Sequence, residues 1–288
     1  MKNNLIYKNN RLITATYALT LSEQRLILGC ISKIKSDESM LRKSNGKNIS
    51  LSKNYEEYEL SVNEYSETFG LSRKEAYNEL LRISDKLYHR DLKIKNKNGS
   101  ITKTRWISSI TYNPDDAVIS IEFAPKIVPY LTLLEREFTK YRLEHVSNIT
   151  SLYAIRLYEL LAKHQFQEIK EINISVSDLK TMLLVENKYK LFGHFHARVI
   201  KPAVEQINKH SNFIADYELI KKYRSFSNIK FKFKLKKTLK NISDKAEIIT
   251  ITNEIIDKNT RPGETKYVVA NRLVASGKYK HAQLRNIF

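Results

Sequence analysis

The chain has 288 residues, 42% of them hydrophobic, which is enough for a sizeable core and suits two domains. With 50 Lys and Arg against 31 Asp and Glu, the formal net charge of +19 disfavours cationic partners and makes nucleic acid the first candidate. The single Cys30 excludes an internal disulfide or a multi-cysteine zinc site, no window approaches the ~18 apolar residues of a membrane span, and the polar opening does not read as a secretory signal. The expectation is a soluble cytoplasmic protein with no membrane partner.

Helix starts come first. Thr20 with Glu23, Ser61 with Glu64 and Ser72 with Glu75 each match the S/T-x-x-E capping box ahead of an apolar run. The first helix is expected from about Leu21 to Ile34, followed by a polar loop around Ser44 to Asn48. Between Ser61 and Arg90, two helices are separated only by Gly70 and Leu71, and the second places Ala76, Leu80, Ile83 and Leu87 on one buried face. That is helix-turn-helix geometry. Downstream, Lys93 to Lys95, a turn at Asn96 to Gly99 and a return through Ile101 to Tyr112 predict a hairpin, read as a wing. Its cations Lys93, Lys95, Lys97, Lys103 and Arg105, with no acid among them, are candidates to lie along a phosphate backbone.

The pattern then recurs. Residues 60–69 (LSVNEYSETF) align without gaps to 174–183 (ISVSDLKTML) at an offset of 114. A helix from Ser151 to about Phe166 precedes the second copy, with Ala154, Ile155, Tyr158, Leu161 and Ala162 on a face opposite Arg156, Glu159 and Lys163. After it, a helix from about Gly193 to His210 puts Phe195, Val199, Ala203 and Ile207 inward and His194, Arg198, Lys201, Glu205 and Asn208 outward. Of these, His194, Arg198, Lys201 and Asn208 are the candidate base-reading residues. Pro202 removes the hydrogen bond to the Arg198 carbonyl, which predicts a kink or restart.

A second wing is expected from Phe213 to Leu235, where Ile229, Phe231, Phe233 and Leu235 alternate with Lys230, Lys232 and Lys234. Lys221, Lys222 and Arg224 at its turn, together with Lys188 and Lys190 ahead of the helix, complete the candidate backbone contacts. A lysine-rich edge that discourages aggregation is the alternative for the strand alone; the preceding helix-turn-helix favours DNA.

Four ordered segments are similar to the Rep_3 superfamily of plasmid replication initiators: Asn10 to Arg25 (NRLITATYALTLSEQR), a linker Phe138 to Tyr141 (FTKY), the helix Arg156 to Leu161 (RLYELL), and Val199 to Asn208 (VIKPAVEQIN). The resemblance covers about residues 4 to 236. It implies a protein that binds directly repeated origin sequences, called iterons, as a monomer and recruits a host initiator and the replicative helicase. It also implies a homodimer, formed through the first winged helix, that represses its own gene. The mixed charge of Arg73, Lys74, Glu75, Glu79, Arg82 and Asp85 on the first copy's second helix agrees with a protein-facing surface.

Catalytic readings are weak. His194-Phe195-His196 resembles the two-histidine metal motif of rolling-circle nickases, but that motif needs a strand, whereas these residues open a helix. There is no G-x-x-x-x-G-K-S/T phosphate loop. Asp115 and Asp116 read as a turn between strands, and Trp106 and Cys30 as core. The expected class is α+β, with two tandem pseudo-duplicated winged-helix domains at 1–142 and 143–240 and a basic tail with a short helix at 241–288. No catalytic residue, metal or cofactor is expected. The runner-up is a dimeric winged-helix transcriptional repressor without a replication role; an RNA-binding protein is disfavoured because no glycine-and-aromatic platform is present.

Overall fold

In the computed structural model, residues 4–34, 57–96, 98–132 and 138–236 are described, with 249–250, 253–260, 266, 269 and 279–280 beyond them. The loop expected at 44–48, Lys97 and the linker at 261–264 lie outside the described residues. Met1–Lys236 forms one unit and Lys237–Phe288 another.

The chain opens with β1 (Leu5–Asn9), α1 (Asn10–Ile13) and β2 (Thr16–Tyr17). All three capping boxes then form, at the starts of α2 (Leu21–Ile31), α3 (Val62–Phe69) and α4 (Arg73–Leu87), with β3 (Glu57–Ser61) leading into α3. In each box the hydroxyl accepts the N3 amide while the Glu carboxylate accepts the cap's own N–H, so two orphan donors are satisfied at once. The inward residues Ala76, Leu80, Ile83 and Leu87 of α4 are all buried, as their spacing dictates.

After α4 come β4 (Asp91–Lys95), β5 (Ile101–Arg105), β6 (Ile107–Asn113) and β7 (Val118–Phe123). Then follow α5 (Val128–Thr132), β8 (Phe138–Arg142), α6 (Glu144–Ser147) and α7 (Leu152–Lys163). The second copy consists of β9 (Glu171–Ser175), α8 (Val176–Leu183), a continuous helical stretch from Phe192 to His210, β10 (Phe213–Lys222) and β11 (Ser225–Leu235).

The internal repeat holds at its first strand and helix. β9 begins 114 residues after β3 (171 against 57) and α8 begins 114 after α3 (176 against 62). Both helices end on a left-handed residue at the matching position, Gly70 (φ +64) and Leu184 (φ +52). Each copy has a three-stranded antiparallel sheet with the strand ahead of the helix-turn-helix on one edge, β3–β7–β6 and β9–β11–β10.

That topology corrects the first wing. β6–β7 occupies the place that β10–β11 holds in the second copy, whereas β4–β5, which carries Lys93, Lys95, Lys103 and Arg105, pairs with β2 in a separate sheet. The sequence reads as one return strand from Ile101 to Tyr112 because an apolar residue sits where the chain changes sheets. Trp106 is fully buried there, edge-on to Tyr17 at 4.9 Å, and separates β5 from β6.

Two further expectations change. Phe138 to Tyr141 is not a linker: β8 pairs antiparallel with β1, Tyr141 opposite Ile6. Nor does α7 have a solvated face, since residues 154–162 are all buried. Its polar side chains form a seam instead. Lys8 Nζ of β1 donates to Glu159 Oε1 at 2.6 Å, Tyr141 Oη of β8 donates to the same oxygen at 2.6 Å, and Lys8 and Glu159 are 1% and 0% exposed. Arg156 lies 3.8 Å above the Tyr17 ring and donates to the carbonyls of Ala15 and Met182, which ties α7 to the α1–β2 segment of the first copy and to α8 of the second. The residues sit on one helical face in sequence, but two apolar faces on α7 require the polar one to be buried too.

In the second unit, β12 (Ile249–Thr250) pairs in parallel with β13 (Tyr279–Lys280), and α11 (Asn253–Asn259) buries Ile256. Of the stretch expected as a short helix up to Leu273, Lys266 and Val269 are described and helical, and Lys266 pairs with Asp257 at 2.9 Å.

Candidate nucleic-acid interface

The helical stretch Phe192–His210 is one element in three parts: α9 (Phe192–Phe195), a π turn at His196–Ile200, and α10 (Lys201–His210). Pro202 explains the middle part. Without its N–H the ladder loses a donor, and the turn before it widens so that Lys201 N donates to the His196 carbonyl five residues back. The expected restart is thus a π turn that leaves the helix continuous. Phe195, Val199, Ala203 and Ile207 are buried, while His194, Arg198 and Lys201 are exposed.

Asn208 departs from this stripe. Its amide donates to the Ala215 carbonyl at 2.9 Å and accepts the Ala215 N–H at 2.6 Å, a bidentate clamp that joins α10 to β10. The edge that could read a base is used inside the fold, so Asn208 positions the wing and leaves the base-reading set. The His194-Phe195-His196 triplet is helical. His194 faces solvent, while His196 Nε2 pairs with Tyr217 Oη at 2.7 Å and its ring stacks on Phe192. The two imidazoles are therefore not aimed at a common ion.

The second wing spans the expected residues, and its alternation holds: Ile229, Phe231 and Phe233 are buried, although Leu235 at the strand end is half exposed. β11 is the central strand, so its outward lysines have acidic neighbours on both sides. Lys230 pairs with Glu171 of β9 at 2.6 Å, and Lys232 pairs with Glu218 of β10. The hydrogen bond from Lys232 holds the Glu218 carboxyl below its usual range, and the same bond raises the Lys232 ammonium. Those two lysines are partly neutralised before any ligand arrives. Lys234 is exposed, as are Lys221, Lys222 and Arg224 around the turn.

An aromatic ladder fixes that turn against the helix start. Phe226 stacks on Phe192 with centroids 4.5 Å apart, and Lys221 Nζ lies 5.0 Å from the Phe226 centroid. No sequence argument singled out this ladder; the signal was an aromatic residue on each partner, 34 positions apart (226 against 192), outside any local period. Ahead of the helix, Lys190 is exposed and Lys188 lies 3.4 Å from Tyr153 Oη, whose hydrogen bond raises the Lys188 ammonium. Of the expected residues, His194, Arg198 and Lys201 are exposed on this helix and Lys221, Lys222 and Arg224 on the hairpin stacked against its start.

The first copy presents different chemistry. The β6–β7 turn carries exposed Asp115 and Asp116, with Asn113 Oδ1 accepting the Asp115 N–H at 3.2 Å. On α4, Glu75 serves the Ser72 cap and Glu79 accepts from Tyr65 Oη at 2.9 Å, which leaves Arg73, Lys74 and Arg82 outward. On the β4–β5 hairpin, Lys103 pairs with Asp91 at 2.8 Å and Arg105 lies 5.0 Å over the Tyr88 ring, while Lys93 and Lys95 point to solvent.

Comparison with known families decides the identity of this architecture. The model for Initiator Replication protein, WH1, matches residues 5–162, and that for Initiator Rep protein, WH2, matches 175–233. The chain belongs to the initiator replication protein family. Among relatives of this family, an Escherichia coli replication initiation protein is 30% identical over 215 residues, covering 72% of this chain and 63% of its own length. The Escherichia coli PI protein is 31% identical over 143 residues, covering 44% and 47%. The chain spans less than two thirds of the length of these relatives. The structure of Pi initiator protein in complex with iteron DNA superposes with a TM-score of 0.68 at 21% identity, covering 82% of this chain and 99% of that one, which establishes a shared fold of two winged helices.

Proposed function

We propose that this initiator-family protein binds directly repeated double-stranded DNA at a plasmid replication origin, without catalysing a reaction, in the bacterial cytoplasm. The observation that carries the reading is the pairing of an exposed helix face, His194, Arg198 and Lys201, with a basic wing tip pinned to the same helix by the Phe192–Phe226 stack. An α-helix fits the ~12 Å major groove, where Arg and Lys side chains meet guanine edges, while wing cations hold phosphates. That the related Pi initiator was solved with iteron DNA supports the choice of repeats as substrate.

Two linked modules on one face of a duplex span about two helical turns, since equivalent groove positions recur every ~34 Å. A monomer would use both modules on one repeat. A homodimer formed through the first winged helix would bind an inverted repeat and repress the protein's own gene, and a host initiator and the replicative helicase would be recruited by the DNA-bound monomer. Footprinting on the DNA flanking the gene, with sedimentation of each complex, tests the reading. Protection of direct repeats by one chain per repeat is expected. Protection of an inverted repeat alone, by a dimer at every concentration, would replace it with a simple repressor.

A further inference from the structure

The β10–β11 hairpin closes with only two residues between the paired Lys222 and Ser225, and the first of them is Tyr223 at φ +57. Such turns favour Gly, Asn or Asp because the left-handed backbone crowds a bulky side chain. The fold recovers nothing for this strain, since Tyr223 is 92% exposed. Lys222 and Arg224 flank it and are exposed as well. Meanwhile the hairpin is held at two levels: Phe226, next to the turn, stacks on Phe192 at the helix start, and Tyr217, farther down the opposite strand, bonds His196 in the π turn. A strained, solvent-facing aromatic between two cations, on a hairpin locked to a recognition helix, is positioned for a ligand that offers both phosphates and apolar surface.

We propose that Tyr223 is a specificity-determining residue that enters the minor groove next to the major-groove site of the helix. The inference rests on the DNA-binding reading above. One strand residue, the turn and the length of the tyrosine side chain carry the ring about 10 Å past the Phe226–Phe192 contact. That reach clears one phosphate ridge when the helix fills the major groove, with Lys222 and Arg224 left on the phosphates. The uncharged ring then meets sugar and base edges, where groove width and hydration depend on sequence. It contributes affinity that salt does not screen.

The experiment uses the full-length chain and a duplex that it selects from a random-sequence pool. Tyr223→Ala is expected to weaken this duplex by about tenfold, the scale of one lost buried aromatic contact. The slope of log affinity against log salt stays that of the wild type, because no phosphate contact is lost. Tyr223→Gly should lose the same affinity while its melting temperature equals or exceeds that of the wild type, and reselection with either variant should relax preference at base pairs flanking the helix site. Binding by Tyr223→Ala within twofold of wild type, with unchanged base preference, would overturn the proposal while leaving DNA binding intact. A glycine variant that loses stability and affinity together would also overturn it, in favour of a structural role. Failure of the wild type to select any duplex would overturn both this proposal and the DNA reading.

Discussion

The two winged helices share one scaffold but differ at their tips, and the difference separates what the scaffold requires from the charge it leaves free to vary. β3–β7–β6 and β9–β11–β10 have the same order, and Gly70 and Leu184 end matching helices in the same conformation. Yet the turn of β6–β7 carries Asp115 and Asp116, whereas the turn of β10–β11 carries Tyr223 and Arg224 beside Lys221 and Lys222. An acidic tip is repelled by phosphate and a basic one is drawn to it. The inserted β4–β5 hairpin, paired with β2, supplies the first copy's outward strand cations instead.

The largest expected effect tests whether the copies stand together. Lys8→Met leaves Glu159 buried without its cation, which should cost about 3–5 kcal/mol in urea-induced unfolding, while Lys8→Met with Glu159→Gln recovers most of it. One transition that shifts as a whole is expected. Two transitions, only one of them shifted, would show that α7 does not couple the copies.

Next comes the helix of the second copy. Arg198→Ala should lose about 1–3 kcal/mol on the cognate duplex and relax base preference, as read by titration against cognate and scrambled sites. Equal loss on both sites would mean that Arg198 meets only phosphate.

A reciprocal exchange at the matched helix ends sharpens the structural half of the comparison. Gly70→Ala should cost about 1 kcal/mol, because only glycine is unstrained at φ +64, while Leu184→Gly should be neutral or stabilising by up to about 1 kcal/mol at φ +52. Thermal melts of both variants decide this; destabilisation by Leu184→Gly would indicate that the half-exposed leucine packs more than its backbone costs.

The smallest effect is at the paired lysines. The sequence alone makes Lys232 a uniform phosphate contact, but its ion pair with Glu218 leaves Lys232→Ala with a change in salt slope below about one contact. A full unit of slope would show that the pair opens on DNA.

Much of this was legible because it is local. The capping boxes, the burial of Ala76, Leu80, Ile83 and Leu87, the alternation through Phe231 and Phe233, and the repeat all follow from spacing that neighbours along the chain enforce. What was not legible is tertiary. Arg156 and Glu159 occupy the polar side of an amphipathic pattern, and only packing of α7 on both sides buries them. Asn208 has outward spacing, but the strand that folds back over it takes its amide. The break at Trp106 hides in an uninterrupted strand-like run, and this is why the β4–β5 hairpin reads as the wing from sequence.

The most direct test of the difference between the tips is the salt dependence of affinity for the cognate duplex, compared among the wild type, Lys222→Ala with Arg224→Ala, and Asp115→Asn with Asp116→Asn. The expected result is a steep slope for the wild type, a magnitude smaller by about two contacts at −0.9 each for the basic-tip variant, and no change for the acidic-tip variant. An unchanged slope for the basic-tip variant, or a changed one for the acidic-tip variant, would contradict the assignment of the phosphate contact to the second wing.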